Sequence, residues 1–279
     1  MISGEAKLAG VMGWPVAHSR SPLLHGYWLE KYAIDGAYVP LPVAPEHFAQ
    51  ALRMLSRLGF RGVNVTVPHK EAALKAVDTA DHQARLIGAV NTVIMREDGS
   101  LEGRNTDGIG FLAQLKERAP AWQGPMGPVA VLGAGGAARA IVATLQSAGV
   151  PEIRLVNRTL ARAEALALAF GNPLKVVPWI NRAGALRDVT LVVNTSTLGM
   201  TGAPDLDLEL IGLSPGAAVF DCVYNPLQTP LLVQARKRGF VPVDGLGMLI
   251  HQARPGFKAW FGIEPEITDD LRALVAQGL

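Results

Sequence analysis

Apolar runs of strand length alternate with helix-length segments along the whole chain. In the first hundred residues, 8–12, 37–41, 62–67 and 89–95 read as strands. Helical patterns lie between them at 22–32 and 45–58. Asp98-Gly99, set between Ile94-Met95 and Leu101, is a hairpin turn signal. The texture changes at 119–128, Ala-Pro-Ala-Trp-Gln-Gly-Pro-Met-Gly-Pro, which no regular element tolerates. That stretch is a linker or a loop leading into a new core. Beyond it the pattern is a βαβ series. Residues 129–132 form a short, continuous apolar strand, as in a sheet covered on both faces. A helix over 136–148, a strand at 153–156 and a helix over 160–170 follow. Further strands are expected at 176–177, 190–193, 217–222 and 240–243, and two helical segments, 246–260 and 267–277, close the chain. A parallel sheet with crossover helices is the economical reading of this half.

Composition narrows the class. A length of 279 residues suggests two domains at about 150 residues each. With 49% hydrophobic and 18% charged residues, the chain is too apolar for disorder. A net charge of +2 leaves no basic footprint for a nucleic-acid partner. One Cys excludes an internal disulfide framework and a thiolate metal cluster. Residues 1–11 carry no apolar stretch behind a basic region, so no signal peptide is expected there. The most apolar long window, 128–150, contains Arg139, Gln146 and several glycines, and reads as strand–turn–helix rather than a membrane span. The expectation is a cytoplasmic α/β protein with a small-molecule ligand and no nucleic-acid or membrane partner, monomeric or homodimeric.

Gly133-Ala134-Gly135-Gly136-Ala137-Ala138 fits G-x-G-x-x-[G/A] directly after a strand and at the opening of a helix. The first Gly permits the tight turn, the second lets a pyrophosphate approach the backbone, and the third small residue lets helix and strand pack closely. The end of the next strand carries Asn157-Arg158-Thr159, with Arg162 about one turn on. NAD-binding proteins usually place a carboxylate there for the ribose 2′-hydroxyl. Two guanidinium groups suit a 2′-phosphate instead, so NADP is favoured as cofactor. The plainer alternative is a pair of solvated charges at a helix start.

A second pattern lies at Gly62-Val63-Asn64-Val65-Thr66-Val67-Pro68-His69-Lys70. Strand alternation puts Val63, Val65 and Val67 on one face, and Asn64 and Thr66 on the other. Pro68 ends the pairing, leaving Lys70 just past the strand. A polar face ending in Lys resembles a substrate wall, against the alternative of a half-exposed strand with a surface Lys. Asn91 sits within a predicted strand, where Asn is disfavoured. Asp107 stands at a strand-to-helix turn, where it could simply cap the helix. In His18-Ser19-Arg20-Ser21-Pro22, Ser21 is a natural cap before Pro22, and both hydroxyls could also hold a carboxylate. His18, His25 and His69 are tempting acids but read more simply as capping or packing residues. Cys222 reads as a buried thiol, and Tyr224-Asn225-Pro226 as turn chemistry. His and Cys do not cluster at metal-ligand spacing, so no metal is expected.

Taken in order, these motifs together with Gly13-Trp14-Pro15, Gly88-Ala89-Val90-Asn91-Thr92, Asn105-Thr106-Asp107, Asn194-Thr195-Ser196 and Asp244-Gly245-Leu246-Gly247-Met248-Leu249…Gln252 resemble shikimate dehydrogenase over essentially the whole chain. The resemblance implies NADPH-dependent, reversible reduction of 3-dehydroshikimate to shikimate, on the route to aromatic amino acids and chorismate. It implies a two-domain α/β fold: a Rossmann NADP-binding domain over 107–244, and an α/β substrate-binding domain from 1–106 and 245–279, with a cleft between them. On this reading 119–128 is a loop inside the second domain, not the boundary. Lys70 and Asp107 would form the catalytic proton-transfer pair, with Lys70 donating to the developing alkoxide in reduction. Ser19 and Ser21, with Tyr224, would hold the substrate carboxylate. Thr66, Asn91 and Gln252 would bind ring hydroxyls. Gly133, Ala134, Gly135, Gly136 and Ala137 would carry the pyrophosphate, and Asn157, Arg158, Thr159 and Arg162 the adenosine end. Cys222 and Gly245 would lie near the nicotinamide. Gly26 departs from the family, which often has Asn after this His. Two rivals remain: a quinate/shikimate dehydrogenase that also uses NAD, and a non-catalytic metabolite sensor on the same fold.

Overall fold

The computed structural model describes residues 2–279. By internal contact the chain divides into two units. The first holds the described residues up to Asp107 together with Leu249–Gln277, and the second holds Gly108–Met248 with the last two residues. Residues 119–128 lie inside the second unit.

The first unit contains β1 (Lys7–Gly13), α1 (Ser21–Lys31), β2 (Gly36–Pro42), α2 (Phe48–Arg57), β3 (Phe60–Val65), α3 (Lys70–Ala76), β4 (Thr79–Ala80), α4 (His82–Ile87), β5 (Thr92–Met95) and β6 (Leu101–Arg104). Its sheet runs β2-β1-β3-β5-β6-β4. β1 is parallel to β2 and β3, whereas β5 is antiparallel to both β3 and β6. The hairpin expected at Asp98-Gly99 is the β5–β6 connection. Val63 and Val65 join Phe48, Leu52 and Leu55 of α2 in one core. Asn64, between them, turns to the other face, as strand alternation requires.

In the second unit come α5 (Asp107–Arg118, its first residue belonging to the first unit), β7 (Val129–Leu132), α6 (Gly136–Ser147), β8 (Ile153–Asn157), α7 (Leu160–Phe170), β9 (Leu174–Pro178), β10 (Leu191–Asn194), β11 (Ala218–Asp221), α8 (Pro230–Lys237) and β12 (Val241–Val243). All its strand pairs are parallel, in the order β12-β11-β10-β7-β8-β9. In sequence terms this is 6-5-4-1-2-3, the doubly wound Rossmann order. Val129 and Val131 of β7 enter one core, and Ala130 and Leu132 the core on the opposite face. That is why the strand reads as an unbroken apolar run. The chain closes with α9 (Gly245–Phe261) and α10 (Asp269–Ala276).

Several expected boundaries move. The strand read at 62–67 ends at Val65, and Val67 is 68% exposed rather than sharing the buried face of Val63 and Val65. Beyond Val65 the chain bonds toward β1 and its loop, through Thr66 N–H to Met12 O and Trp14 N–H to Val67 O, and turns back on itself through His69 N–H to Thr66 O. Asn91 precedes β5 instead of lying within it. Ser21 is the first residue of α1, and the cap position is Arg20, with no side-chain cap. Asp107 likewise begins α5, and the Asn105 carboxamide accepts its N–H at 3.1 Å. The segment 45–58 starts with a single 3₁₀ turn, Pro45–His47, before α2. The elements α3, β4, α4 and α8 had no sequence counterpart. Each is eight residues or fewer, too short to show a periodicity.

Candidate functional site

The polar cluster of the first unit is built where β3 and β6 end and β5, α3 and α5 begin. Lys70, the first residue of α3, places its Nζ 2.5 Å from Asp107 Oδ2. The side chains keep only 17% and 7% of their exposure. Asn91 Nδ2 shares its two protons among Asp107 Oδ1 at 2.7 Å, Thr106 Oγ1 at 3.0 Å and Gln252 Oε1 at 3.2 Å. Its Oδ1 accepts from Thr106 N–H at 2.9 Å. The Thr106 hydroxyl donates to the main-chain oxygen of Gln252 at 2.9 Å, tying α9 to the cluster. Asp107 thus spends one oxygen on Asn91 and the other on Lys70. This fixes the Lys70 ammonium beside a carboxylate in a nearly dry setting, where charge-assisted bonds are strong.

Thr66 is half-buried, and its methyl packs where a side chain on Gly13 would have to go. Ser19 Oγ accepts from Ser21 N–H at 3.3 Å at the start of α1, and Ser21 is itself buried. Of the histidines, His18 is exposed. His69 is buried, stacks on Phe48 with ring centroids 4.4 Å apart, and bonds Val43 O at 2.8 Å. Burial lowers its pKa, opposed by that bond. His25 is fully buried among Trp28, Tyr38, Phe257 and Trp260. Desolvation takes its pKa down to about 3 against a smaller upward pull from nearby Asn64, although among the described residues neither ring nitrogen reaches hydrogen-bond geometry with a partner. All three therefore remain outside the Lys70–Asp107 bonding network.

The second unit places the other predicted residues at the carboxyl ends of its parallel strands, where ligands bind in such sheets. Gly133 follows β7 with φ +113°, and a Cβ there would lie 2.4 Å from Thr195 Oγ1. The fold itself therefore demands glycine at 133. Gly135 is different. It caps α6 with an ordinary φ of −97°, and a Cβ would meet nothing within 4 Å. No intramolecular contact accounts for Gly135, and the open space lies at the N–H end of a 12-residue helix, which suits a phosphate. Gly136 and Ala137 open that helix, Ala134 is partly buried beside it, and Ala138 is fully buried, as close packing requires. Asn157 ends β8 and donates to Thr159 O at 2.8 Å. Arg158 and Arg162 are exposed, and among the described residues neither has an ion-pair partner. These residues fit a 2′-phosphorylated dinucleotide.

Cys222 follows β11, 3.9 Å from Met248 by sulfur-to-sulfur contact. Gly245 packs directly against the Cys222 carbonyl, and Tyr224 follows in the same loop. The loop is fastened by Asp221, which sequence reasoning passed over. Its carboxylate accepts from Val223 N–H at 3.0 Å, Thr229 Oγ1 at 2.7 Å and Asn194 Nδ2 at 2.9 Å. Desolvation still raises its pKa to about 6. Thr106, Asn105 and Tyr38 were also missed as members of the first cluster. The first two stood beside Asp107 in a motif already noticed, whereas Tyr38 carried no signal within an apolar strand.

Three family models match the chain in order. They are the shikimate dehydrogenase substrate binding domain over residues 11–93, shikimate / quinate 5-dehydrogenase over 123–200, and the shikimate 5'-dehydrogenase C-terminal domain over 245–275. A protein of Paramagnetospirillum magneticum named shikimate dehydrogenase (NADP(+)) is 59% identical, with 98% of this chain and 99% of that protein aligned. Its namesake in Rhodospirillum rubrum is 57% identical over 99% of both. Among solved structures, shikimate 5-dehydrogenase from Thermus thermophilus in complex with NADP(H) and shikimate matches with TM-score 0.85 at 38% identity, over 98% of this chain and all of that one. Quinate dehydrogenase from Corynebacterium glutamicum in complex with NAD matches with TM-score 0.88 at 30% identity, over 96% and 98%.

Proposed function

The chain belongs to the shikimate dehydrogenase family, whose members are oxidoreductases acting on a CH–OH group, and from that premise we propose that it interconverts shikimate and 3-dehydroshikimate with NADP, using Lys70 and Asp107 for proton transfer. The observation that carries the reading is the largely buried Lys70–Asp107 pair inside a ring of side-chain donors and acceptors.

When bound, the nicotinamide supplies the hydride exchanged with the ring carbon. The protein's own work is positioning and proton transfer. Lys70 donates to the oxygen that becomes a hydroxyl in reduction, and takes that proton back in oxidation. Asp107 orients Lys70 through Oδ2 and accepts from Asn91 through Oδ1. Asn91, Gln252 and Thr66 offer the amide and hydroxyl groups that a polyhydroxylated ring needs. Ser19 and Ser21, at the N-terminal end of α1, suit the substrate carboxylate. For the cofactor, Gly133 to Ala137 present helix N–H groups to the pyrophosphate. Asn157 and Thr159 border the adenosine, and Arg158 and Arg162 take the 2′-phosphate. Cys222 and Gly245 line the nicotinamide end, and Tyr224 contributes a phenol for the substrate carboxylate. The substrate-binding domain is assigned to 1–106 and 245–279, and the NADP-binding domain to 107–244.

Initial rates with shikimate and with quinate, each with NADP⁺ and with NAD⁺, test the assignment. Shikimate with NADP⁺ is expected to be the fastest pair. No turnover in any of the four combinations would refute it.

A further inference from the structure

The hydrogen bonds behind Asn91 have a forced direction. Asn64 Nδ2 faces the main-chain oxygen of Asn91 at 3.2 Å. A carbonyl only accepts, so the Asn64 amide oxygen must point the other way, toward Tyr38. The Tyr38 hydroxyl donates to it at 2.7 Å. Asn64 Nδ2 also donates to Thr92 Oγ1 at 3.2 Å, which leaves the Thr92 proton for Asn91 Oδ1 at 2.9 Å. With Oδ1 held there and by Thr106 N–H, Asn91 can only turn its NH₂ toward Asp107 and Gln252. Tyr38, Asn64, Thr92 and Asn91 are all buried, so no water substitutes for a missing link. The β3–β5 register makes this possible by setting Asn64 directly opposite Thr92.

We propose that Tyr38 is a positioning residue of the reaction: its hydroxyl braces Asn64 in the orientation that the Asn91 carbonyl requires, and so supports Thr92 as a donor to Asn91, the residue that aligns Asp107 and Gln252. This role rests on the function proposed above. The surroundings of Tyr38 suit it. Its ring stacks on His25 at 3.9 Å with planes 4° apart. Burial holds the phenol well above its ordinary pKa, opposed by the Ser21 side chain, so it stays a proton donor. The chain of bonds therefore runs from a group beside Ser21 to the Lys70–Asp107 pair.

The test compares wild type, Tyr38→Phe, Thr92→Val and the double variant. It measures kcat and KM for shikimate at saturating NADP⁺, together with direct NADP⁺ binding. Tyr38→Phe keeps the ring and its stacking. It is expected to lower kcat/KM for shikimate roughly 10-fold, with NADP⁺ affinity unchanged within about twofold. The double variant should be no worse than the worse single one, because both cut the same chain. Should Tyr38→Phe fail to fold, Asn64→Asp replaces it. That change keeps the shape and the acceptor for Tyr38 but removes the donor to Thr92, and the same loss is expected. A Tyr38→Phe or Asn64→Asp enzyme within twofold of an active wild type overturns the role, as does a double variant whose losses multiply. An inactive wild type instead removes the proposed function, and this role with it.

Discussion

Lys70 Nζ stands 2.5 Å from Asp107 Oδ2, joining the first residue of α3 to the first residue of α5 across 37 positions of sequence. Both side chains are largely withdrawn from water, so each is poorly replaced by solvent. Lys70→Ala is therefore expected to lower kcat roughly 100- to 10,000-fold, with a much smaller change in KM for shikimate. Steady-state kinetics in the oxidative direction measure both. A change confined to KM would mean that Lys70 only binds.

Arg158 and Arg162 lack ion-pair partners among the described residues and lie beyond the end of β8. Removing a charge-assisted bond to a phosphate costs about 1.5–3 kcal/mol. Arg158→Ala and Arg162→Ala should each raise KM for NADP⁺ by roughly 10-fold or more while leaving KM for NAD⁺ nearly unchanged. The NADP⁺ preference should also shrink with added salt. Equal losses with both cofactors would place these arginines elsewhere than at the 2′-phosphate.

Gly133 and Gly135 separate folding from binding. At Gly133 the φ is positive, and the Thr195 hydroxyl would lie 2.4 Å from an added methyl, which leaves no room. Gly133→Ala should therefore destabilise the fold outright. Gly135→Ala should melt within a degree or two of wild type, since its methyl meets no protein atom. It should nevertheless bind NADP⁺ more weakly. Thermal melts paired with a binding titration decide this, and a Gly135→Ala protein with undiminished NADP⁺ affinity would show that no ligand approaches there.

His25 makes stability depend on pH. Its folded-state pKa of about 3 lies below the unfolded value of 6.5, so the unfolded chain binds the extra proton between these limits. Stability from this group is complete above pH 6.5 and falls as pH drops toward 3, by roughly 1.4 kcal/mol per unit. Asp221 acts in the opposite sense. Its raised folded pKa, about 6, makes stability fall as pH rises from about 4 to 6. Denaturant unfolding of wild type and His25→Phe between pH 4.5 and 7.5 isolates the His25 part, because Asp221 is common to both. The stability difference between them should change with pH below 6.5, and a constant difference would contradict a neutral buried imidazole.

Much of the second unit was legible. Its strands are buried on both faces, so each shows as an uninterrupted apolar run, and Gly133-Ala134-Gly135 stands at the one turn where strand meets helix tightly. In the first unit the alternation around Asn64 correctly separated the Val63–Val65 face from the polar one. It ran two residues too far, because the pairing of Thr66 and Val67 is decided by the neighbouring β1 loop, not by their own side chains. Lys70 and Asp107 each looked locally like a surface charge and a helix cap. Nothing within a few residues of either shows that they meet.

The chain by itself determined the alternation of strands and helices, the Rossmann half, the glycine turn between β7 and α6 and the paired arginines. Those features arise from interactions between residues close in sequence: backbone conformation, side-chain periodicity and local charge. The tertiary structure alone decided that Asn64 faces Thr92, that Tyr38 donates into that pair, and that His25 is stripped of water while stacked on Tyr38. Strand register and helix packing set those contacts. A single-residue slip of β3 against β5 would turn Asn64 to the opposite face, so the polar chain exists only once the sheet has chosen its pairing.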